Sequence, residues 1–433
     1  MEIRKTSGLL GCACLLALAL FSGCGGSSSS NSIPSTATIY YAHSVVFNNT
    51  STMAMGYNAF GQLGVADRNT HDSATRVSIG PVNGVSTGGD HTLAFAFTNL
   101  SSVYTWGSNY YGQLGNSTIA TTGSSAYSST PVRVPLHGTN NIPLVTGQVT
   151  DVSAGWFHSL AVVDGTVFGW GYNGYGQLGD RGEATLTTSI IPKQVQFNGG
   201  NLNNVVKVAA GGAHSLALTS AGQVYAWGDN TYGELGTNPT NLHNTYSSTP
   251  LLVNGADGLP LSGITQITAA GSNSYALQGG TVLAWGYNGM GQLGLDPTLP
   301  VNTFKFTPQV IQLKHADGTA ATALSISAGL DHVLALLDDH TVVGWGLNEY
   351  SQLGDNSTTN RFTPVAVRKD GTASNLLTGV TAIIAFGNHS LAKVGTNPGV
   401  WYGWGDNGYG QLGRPISSDS IGYLLIPAVV KGY

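Results

Sequence analysis

Charge is what this sequence has least of. Asp, Glu, Lys and Arg make up 9% of its 433 residues, against about 25% in an average soluble domain. Its 16 basic and 21 acidic residues leave a net charge of −5. No basic surplus exists to hold a polyanion, which excludes nucleic acid as the main partner. Cysteine is almost absent, with three in all, at 12, 14 and 24; a disulfide framework or a Cys-rich metal site has nothing to be built from. Long apolar runs are missing too, apart from one near the start. Catalytic signatures are lacking: there is no Gly-x-Ser-x-Gly elbow, no His-Glu-x-x-His and no Gly-x-x-x-x-Gly-Lys. What the chain does hold is glycine, 61 residues of it, within a 41% hydrophobic composition. Few charges and many glycines favour short strands joined by tight turns over long surface helices. The length exceeds the ~250–300 residues at which one core stops growing, so repetition or several domains is expected.

The first residues read as an export signal. Arg4 and Lys5 precede an uncharged apolar stretch from Leu9 to Phe21, too short to span a bilayer and of the length of a signal-peptide core. Phe21-Ser22-Gly23-Cys24 follows, then a Gly/Ser run. Small residues before a cysteine resemble a bacterial lipobox, which makes residues 1–23 the signal peptide and Cys24 the lipidated first residue of the mature chain. The mature chain would carry a net charge of −6. Residues 24–36 read as a flexible tether with a reach of roughly 20 Å.

From Met55 onward one motif recurs seven times. Trp106-Gly107-Ser108-Asn109-Tyr110-Tyr111-Gly112-Gln113-Leu114-Gly115 represents it, with Met55 in place of Trp in the first copy, Glu234 in place of Gln in the fourth and Ser351 in place of Gly in the sixth. The motif's second glycine falls at 56, 107, 171, 228, 286, 346 and 405, a period of about 58 residues, which signals a solenoid or a propeller. Between copies lies Ala154-Gly155-Trp156-Phe157-His158-Ser159-Leu160-Ala161, with relatives around His91, His214, His332 and His389, and Ser274 read in the histidine's place in the fifth. Apolar alternation, a turn and a second strand follow each, a hairpin signature. Prolines at 131, 192, 250, 308, 364 and 427 fit edge strands. After the last Trp-Gly motif the chain offers only 426–430, while residues 39–56 supply a histidine strand and a strand before Gly56. The expectation is an all-β ring in which one composite blade is shared by the N- and C-termini, removing open sheet edges.

The two motifs together resemble the regulator of chromosome condensation repeat family. The resemblance covers residues 37–433 and implies a seven-bladed β-propeller. It leaves function open, since the fold hosts unrelated activities. The repeated tryptophans and the aromatics at Phe60, Tyr111, Tyr175, Tyr232, Tyr350 and Tyr409 are expected as core or inter-blade contacts. The motif's Asn and Gln are expected to bind the loop backbone. His43, His91, His158, His214, His332 and His389 would stand too far apart around a ring to share one tetrahedral ion, so they read as structural; no cofactor and no metal is expected. Asp338-Asp339-His340 reads as a solvated turn.

Two sets of positions vary inside constant frames: the pair before each histidine, and the residue after each Trp-Gly. Their members Trp156, Phe157, Asp90, Asp331, Tyr57, Tyr172, Asp229, Tyr287 and Asp406 are the candidate partner-binding residues, with Trp156 and Phe157 read as an exposed hot-spot pair or as packed over the insertion 115–129. The function expected is a non-enzymatic, monomeric, protein-binding propeller held at the bacterial envelope by lipid on Cys24. The resemblance offers alternatives: guanine-nucleotide exchange as in the family's namesake, or inhibition of a secreted enzyme as in β-lactamase-inhibiting members. Export and acidic charge oppose the first.

Overall fold

In the computed structural model the described residues run from 42 to 431, apart from 49, 98–100, 137–146, 182–186, 238–244, 296–303, 397–398 and 416–421. Cys24, the signal segment and the tether lie outside the described residues. Seven antiparallel sheets follow one another along the chain, at 43–76, 84–133, 149–194, 205–252, 264–311, 323–366 and 380–429. They are the blades of a seven-bladed β-propeller, numbered here 1 to 7. Among the described residues one short 3-10 turn, Gly123–Ser125, is the sole helical element. A two-stranded ribbon, Gln196–Phe197 with Gly200–Asn201, stands apart from the blades.

Blade 3 shows how the repeat makes a sheet. Val149–Ala154 lies innermost, then His158–Val163, Thr166–Tyr172 and the outermost Thr188–Gln194. The second strand, His-Ser-Leu-Ala-Val-Val, is buried throughout; it lies between neighbouring blades and reads as a continuous apolar run, as strands covered on both faces do. The outermost strand carries Pro192, whose missing N–H faces no further strand. Its register shifts between Gly169 and Gly171, and Gly171 takes φ +98° with the Phe157 carbonyl 2.4 Å from where a Cβ would sit. Only glycine fits there. Each tryptophan packs into the preceding blade: Trp227 of blade 4 joins Leu160, Val162, Val167 and Val195 of blade 3.

The ends of the chain meet, but not by sharing a sheet. Tyr423–Val429 pairs with Val400–Asp406 inside blade 7, which already has its own first and second strands, Val380–Phe386 and His389–Val394. Blade 1 holds His43–Phe47, Thr52–Gly56 and His71–Arg76, all from the N-terminal side. The composite blade is therefore corrected to a packed seam. Counting the repeat from Trp-Gly put the phase boundary inside a sheet, whereas the sheets break after the proline strand. At the seam Val46 and Met55 pack on Leu391, Trp401, Leu412 and Val430, and Ser44 hydrogen-bonds both His389 and the Gln411 carbonyl.

Candidate functional site

The loops between third and fourth strands form one end of the ring and share one internal frame. In all seven, the motif's Asn Oδ1 accepts the N–H of the motif's Leu at 2.9–3.1 Å. The Gln, or Glu234, accepts the N–H two residues before it at 2.8–3.0 Å. The same residue's backbone carbonyl accepts the indole N–H of the next blade's tryptophan at 2.8–2.9 Å in six blades. The loop backbone is thus fixed by side chains that point inward, and the remaining positions are free to vary without cost to the frame.

Beneath this frame runs a chain of buried histidines. Each Nε2 reaches a Ser or Thr hydroxyl of the adjoining blade: His43 to Thr92, His91 to Ser159, His158 to Ser215, His214 to Ser274, His332 to Ser390 and His389 to Ser44, at 2.6–3.1 Å. Each hydroxyl donates its one hydrogen to a Gln or Glu backbone carbonyl. The histidine must therefore be the donor, which fixes the Nε2–H tautomer. Five of the six Nδ1 atoms face no partner. Burial holds all six histidines down to about 3. The reading of these as structural histidines agrees with their geometry, and among the described residues no three His, Cys, Asp or Glu side chains converge as metal ligands. In blade 5 the residue in the histidine's place is Asn273, which pairs with Gly286 as His214 pairs with Gly228. The assignment of Ser274 to that place is corrected: the fifth repeat is one residue short there, and Ser274 is the hydroxyl partner. In blade 6 Val333 replaces the hydroxyl, and Tyr275 donates instead to the Gln292 carbonyl.

Both variable sets lie on this same end. The N–H after each Trp-Gly donates to the carbonyl of the residue before each histidine, as Tyr172 to Phe157, Asp229 to Ala213 and Leu347 to Asp331. Tyr57, Asp229, Tyr287, Asp331 and Asp406 are half-buried there. Tyr172 is buried, with its hydroxyl pushed up to about 12 by burial and by Tyr175. Phe157 is corrected from display to core: it is 5% exposed, and Tyr111 packs on it at 4.7 Å. Asp90 is likewise buried. Trp156 is half-buried and lies over Gly212 of the next blade, at the mouth of an axial cavity of about 580 Å³, not over the insertion 115–129. The loop aromatics make the expected inter-blade contacts: Tyr409 with Tyr57 at 5.0 Å, Tyr111 with Tyr172 at 5.3 Å, Tyr232 with Tyr287 at 4.9 Å. On the opposite end, Asp338 and Asp339 both meet His315, so that turn is ion-paired rather than merely solvated.

Glu234 departs from the pattern in kind. In blade 5 the equivalent Gln292 donates its side-chain amide to Asp331 at 2.8 Å, and in blade 7 Gln411 favours the ionised form of Asp406. An ionised Glu234 has no hydrogen to give. Burial and the neighbouring Asp229 push it up to about 8, and burial also raises Asp229. Its second oxygen makes no well-formed hydrogen bond, although Ser272 favours its charged form a little. A carboxyl raised above its unfolded value contributes most at low pH and loses that contribution as pH rises through 8. Glu234→Gln is therefore expected to match wild type near pH 4 and to be more stable by roughly 2–4 kcal/mol near pH 7, read as a shift in urea midpoint; an unchanged difference across that range would refute a buried charge here.

With this geometry in place, the relatives can be stated. Residues 185–432 match the RCC1-like domain, and residues 101–162 and 149–177 match the regulator of chromosome condensation (RCC1) repeat. The chain belongs to the RCC1-repeat propeller family. It is 30% identical over 374 residues to the ultraviolet-B receptor UVR8 of Arabidopsis thaliana, covering 83% of this chain and 73% of that one. It is 30% identical over 375 residues to the human probable E3 ubiquitin-protein ligase HERC4, covering 76% of this chain and 32% of the ligase; the chain thus spans about a third of that relative. Among solved structures, yeast Prp20p, described with its binding to Gsp1p and histones, superposes with a TM-score of 0.70 at 20% identity, covering 90% of this chain and 88% of that one. Human WBSCR16 gives a TM-score of 0.70 at 24% identity, with 87% and 94% covered. These two likenesses establish the fold.

Proposed function

We propose that this propeller is a protein-binding scaffold, carried to the bacterial envelope by its signal segment and held there by lipid on Cys24. The observation that supports it is the division of labour in the loops. Inward-pointing Asn, Gln and His fix the frame in blade after blade, while Tyr57, Ser108, Tyr172, Asp229, Tyr287, Leu347 and Asp406 differ at one equivalent position. A rigid ring that presents aromatic and acidic side chains of non-repeating identity suits recognition of one partner's surface. RCC1-like propellers are scaffolds of this kind, and Prp20p is described with two protein partners of its own.

The test uses Trp156, which sits at the centre of the face. The wild-type propeller is expected to retain a partner from envelope extract, and Trp156→Ala to weaken that interaction by at least ~2 kcal/mol with an unchanged melting temperature. Full affinity in the variant, or loss of its fold, would remove Trp156 from the binding face. Anchoring is tested separately. Cys24→Ala is expected to move the protein from the membrane pellet to the supernatant after a high-salt wash, and a variant that stays in the pellet would overturn the lipid assignment.

A further inference from the structure

The face is not uniform, and its one chemical exception lies in blade 4. Every other loop places a glutamine where its amide can serve a neighbouring acceptor, as Gln292 serves Asp331 at 2.8 Å. Blade 4 places Glu234 there, 1% exposed, with one oxygen bound by the Tyr232 N–H at 2.8 Å and the other without a hydrogen-bond partner. Asp229 stands beside it at the strand end, half-buried. One of its oxygens caps the N–H and hydroxyl of Thr231. The charge of Asp229 reaches two tyrosines, Tyr175 of the preceding loop and Tyr232 of its own, and Tyr232 packs on Tyr287 at 4.9 Å. The groups acting on the two acids are hydroxyls, backbone amides and each other; no Lys, Arg or His is among them. Two carboxylates thus share an aromatic-walled spot that this chain leaves without a counter-charge, at a cost in stability that a glutamine would avoid.

We propose that this spot receives one cationic side chain of the partner, a guanidinium or an ammonium, seated on Asp229 against the rings of Tyr175 and Tyr232, with Glu234 supplying a second negative charge from beneath. Carboxylate pairing and the negative faces of aromatic rings act together on such a cation, and both strengthen where water is excluded. A bare metal ion fits less well, since no three His, Cys, Asp or Glu converge among the described residues and the phenols stay protonated. Asp406 in blade 7 is the internal contrast. It occupies the same position above Gln411, a residue that favours its charge, so it needs no cation. The inference rests on the proposal that this face binds a protein and adds the chemistry that anchors it.

The experiment titrates the full chain with N-acetyl-argininamide and with its uncharged citrulline counterpart, at low salt, followed by NMR. Saturable binding of the arginine probe in the millimolar range is expected, with at least ten-fold weaker binding of the citrulline probe. Asp229→Asn is expected to weaken the arginine probe at least ten-fold and Glu234→Gln at least three-fold, while Asp406→Asn leaves it unchanged. Neither the Asn nor the Gln replacement threatens the fold, because both keep the backbone hydrogen bonds. Equal binding of the two probes, wild-type affinity in both blade 4 variants, or no saturation would overturn the inference. The two readings fail separately. A partner lost by Trp156→Ala but kept at full affinity by Glu234→Gln removes the cation seat and leaves the face; probe binding without any retained partner does the reverse.

Discussion

Acidification from about pH 7.5 to about pH 5 is expected to lower the melting temperature of this propeller by more than ~10 °C, well before its surface carboxylates titrate. The cause is the buried histidine chain. His43, His91, His158, His214, His332 and His389 are each held to about 3, first by burial, whereas an unfolded histidine titrates near 6.5. The unfolded state therefore binds more protons at every pH between those values, and stability must fall as pH falls through that window. At pH 5 each histidine has lost ~2 kcal/mol. Six together approach ~12 kcal/mol, comparable to the whole stability of a typical domain at ~5–15 kcal/mol. Raised carboxyls oppose this: Asp151, Asp229, Glu234, Asp331 and Asp406 are all held above their ordinary values by burial, and the penalty of their charge is relieved on acidification. They are fewer in effect, because Asp151 is also paired with Lys207 and Asp331 with Gln292. The proton uptake on unfolding, from the pH dependence of the urea midpoint, should approach six near pH 5. A melting temperature flat from pH 7 to pH 4 would show that these histidines are not held neutral.

The histidine chain also shows what the sequence made legible. Its members stood out because they recur at one place in each repeat, and their spacing sufficed to discount a shared metal. Their partners did not stand out. Ser159 and Ser215 follow a histidine in sequence, but the bond that matters joins His91 to Ser159 and His158 to Ser215, across blades 68 and 57 residues apart. Periodicity reports that positions are equivalent; it does not report which copies touch. The same limit explains the seam. Repeat counting established seven units and a closed ring, yet the phase at which sheets are cut depends on hydrogen bonds between strands, and the Trp-Gly motif lies inside a sheet rather than at its border. Phe157 was misjudged for another reason. Variability at its position reflects neighbours that also vary, with Tyr111 and Tyr172 closing over it in blade 3 alone. Glu234 was visible as a substitution from the start, but its meaning needed the distance from Gln292 to Asp331 in the adjacent blade to show what a glutamine does there.

The junctions between blades should be the most sensitive sites to truncation, and Trp227→Ala is expected to cost ~3–5 kcal/mol. Trp227 is wholly buried, packs among residues of blades 3 and 4 and donates to the Gln177 carbonyl at 2.8 Å. Truncation removes the packing and leaves a cavity that the two sheets cannot close without breaking the loop frame on either side. The carbonyl itself is not orphaned, since Ser215 also donates to it at 2.8 Å. Trp227→Phe, which keeps most of the ring and loses only the indole N–H, is therefore expected to cost no more than ~1–2 kcal/mol. Trp227→Met should fall between the two. It reproduces what the chain tolerates at its own seam, where Met55 fills the tryptophan's place against Leu412 and Val430 and Ser44 alone serves the Gln411 carbonyl. The control is Tyr246→Ala in the same blade, half exposed on the outermost strand, expected within ±0.5 kcal/mol of wild type. Urea midpoints order the four variants. If Phe cost as much as Ala, the hydrogen bond rather than the packing would hold the junction; if Ala cost as little as Tyr246→Ala, adjacent blades would not be coupled through their tryptophans at all.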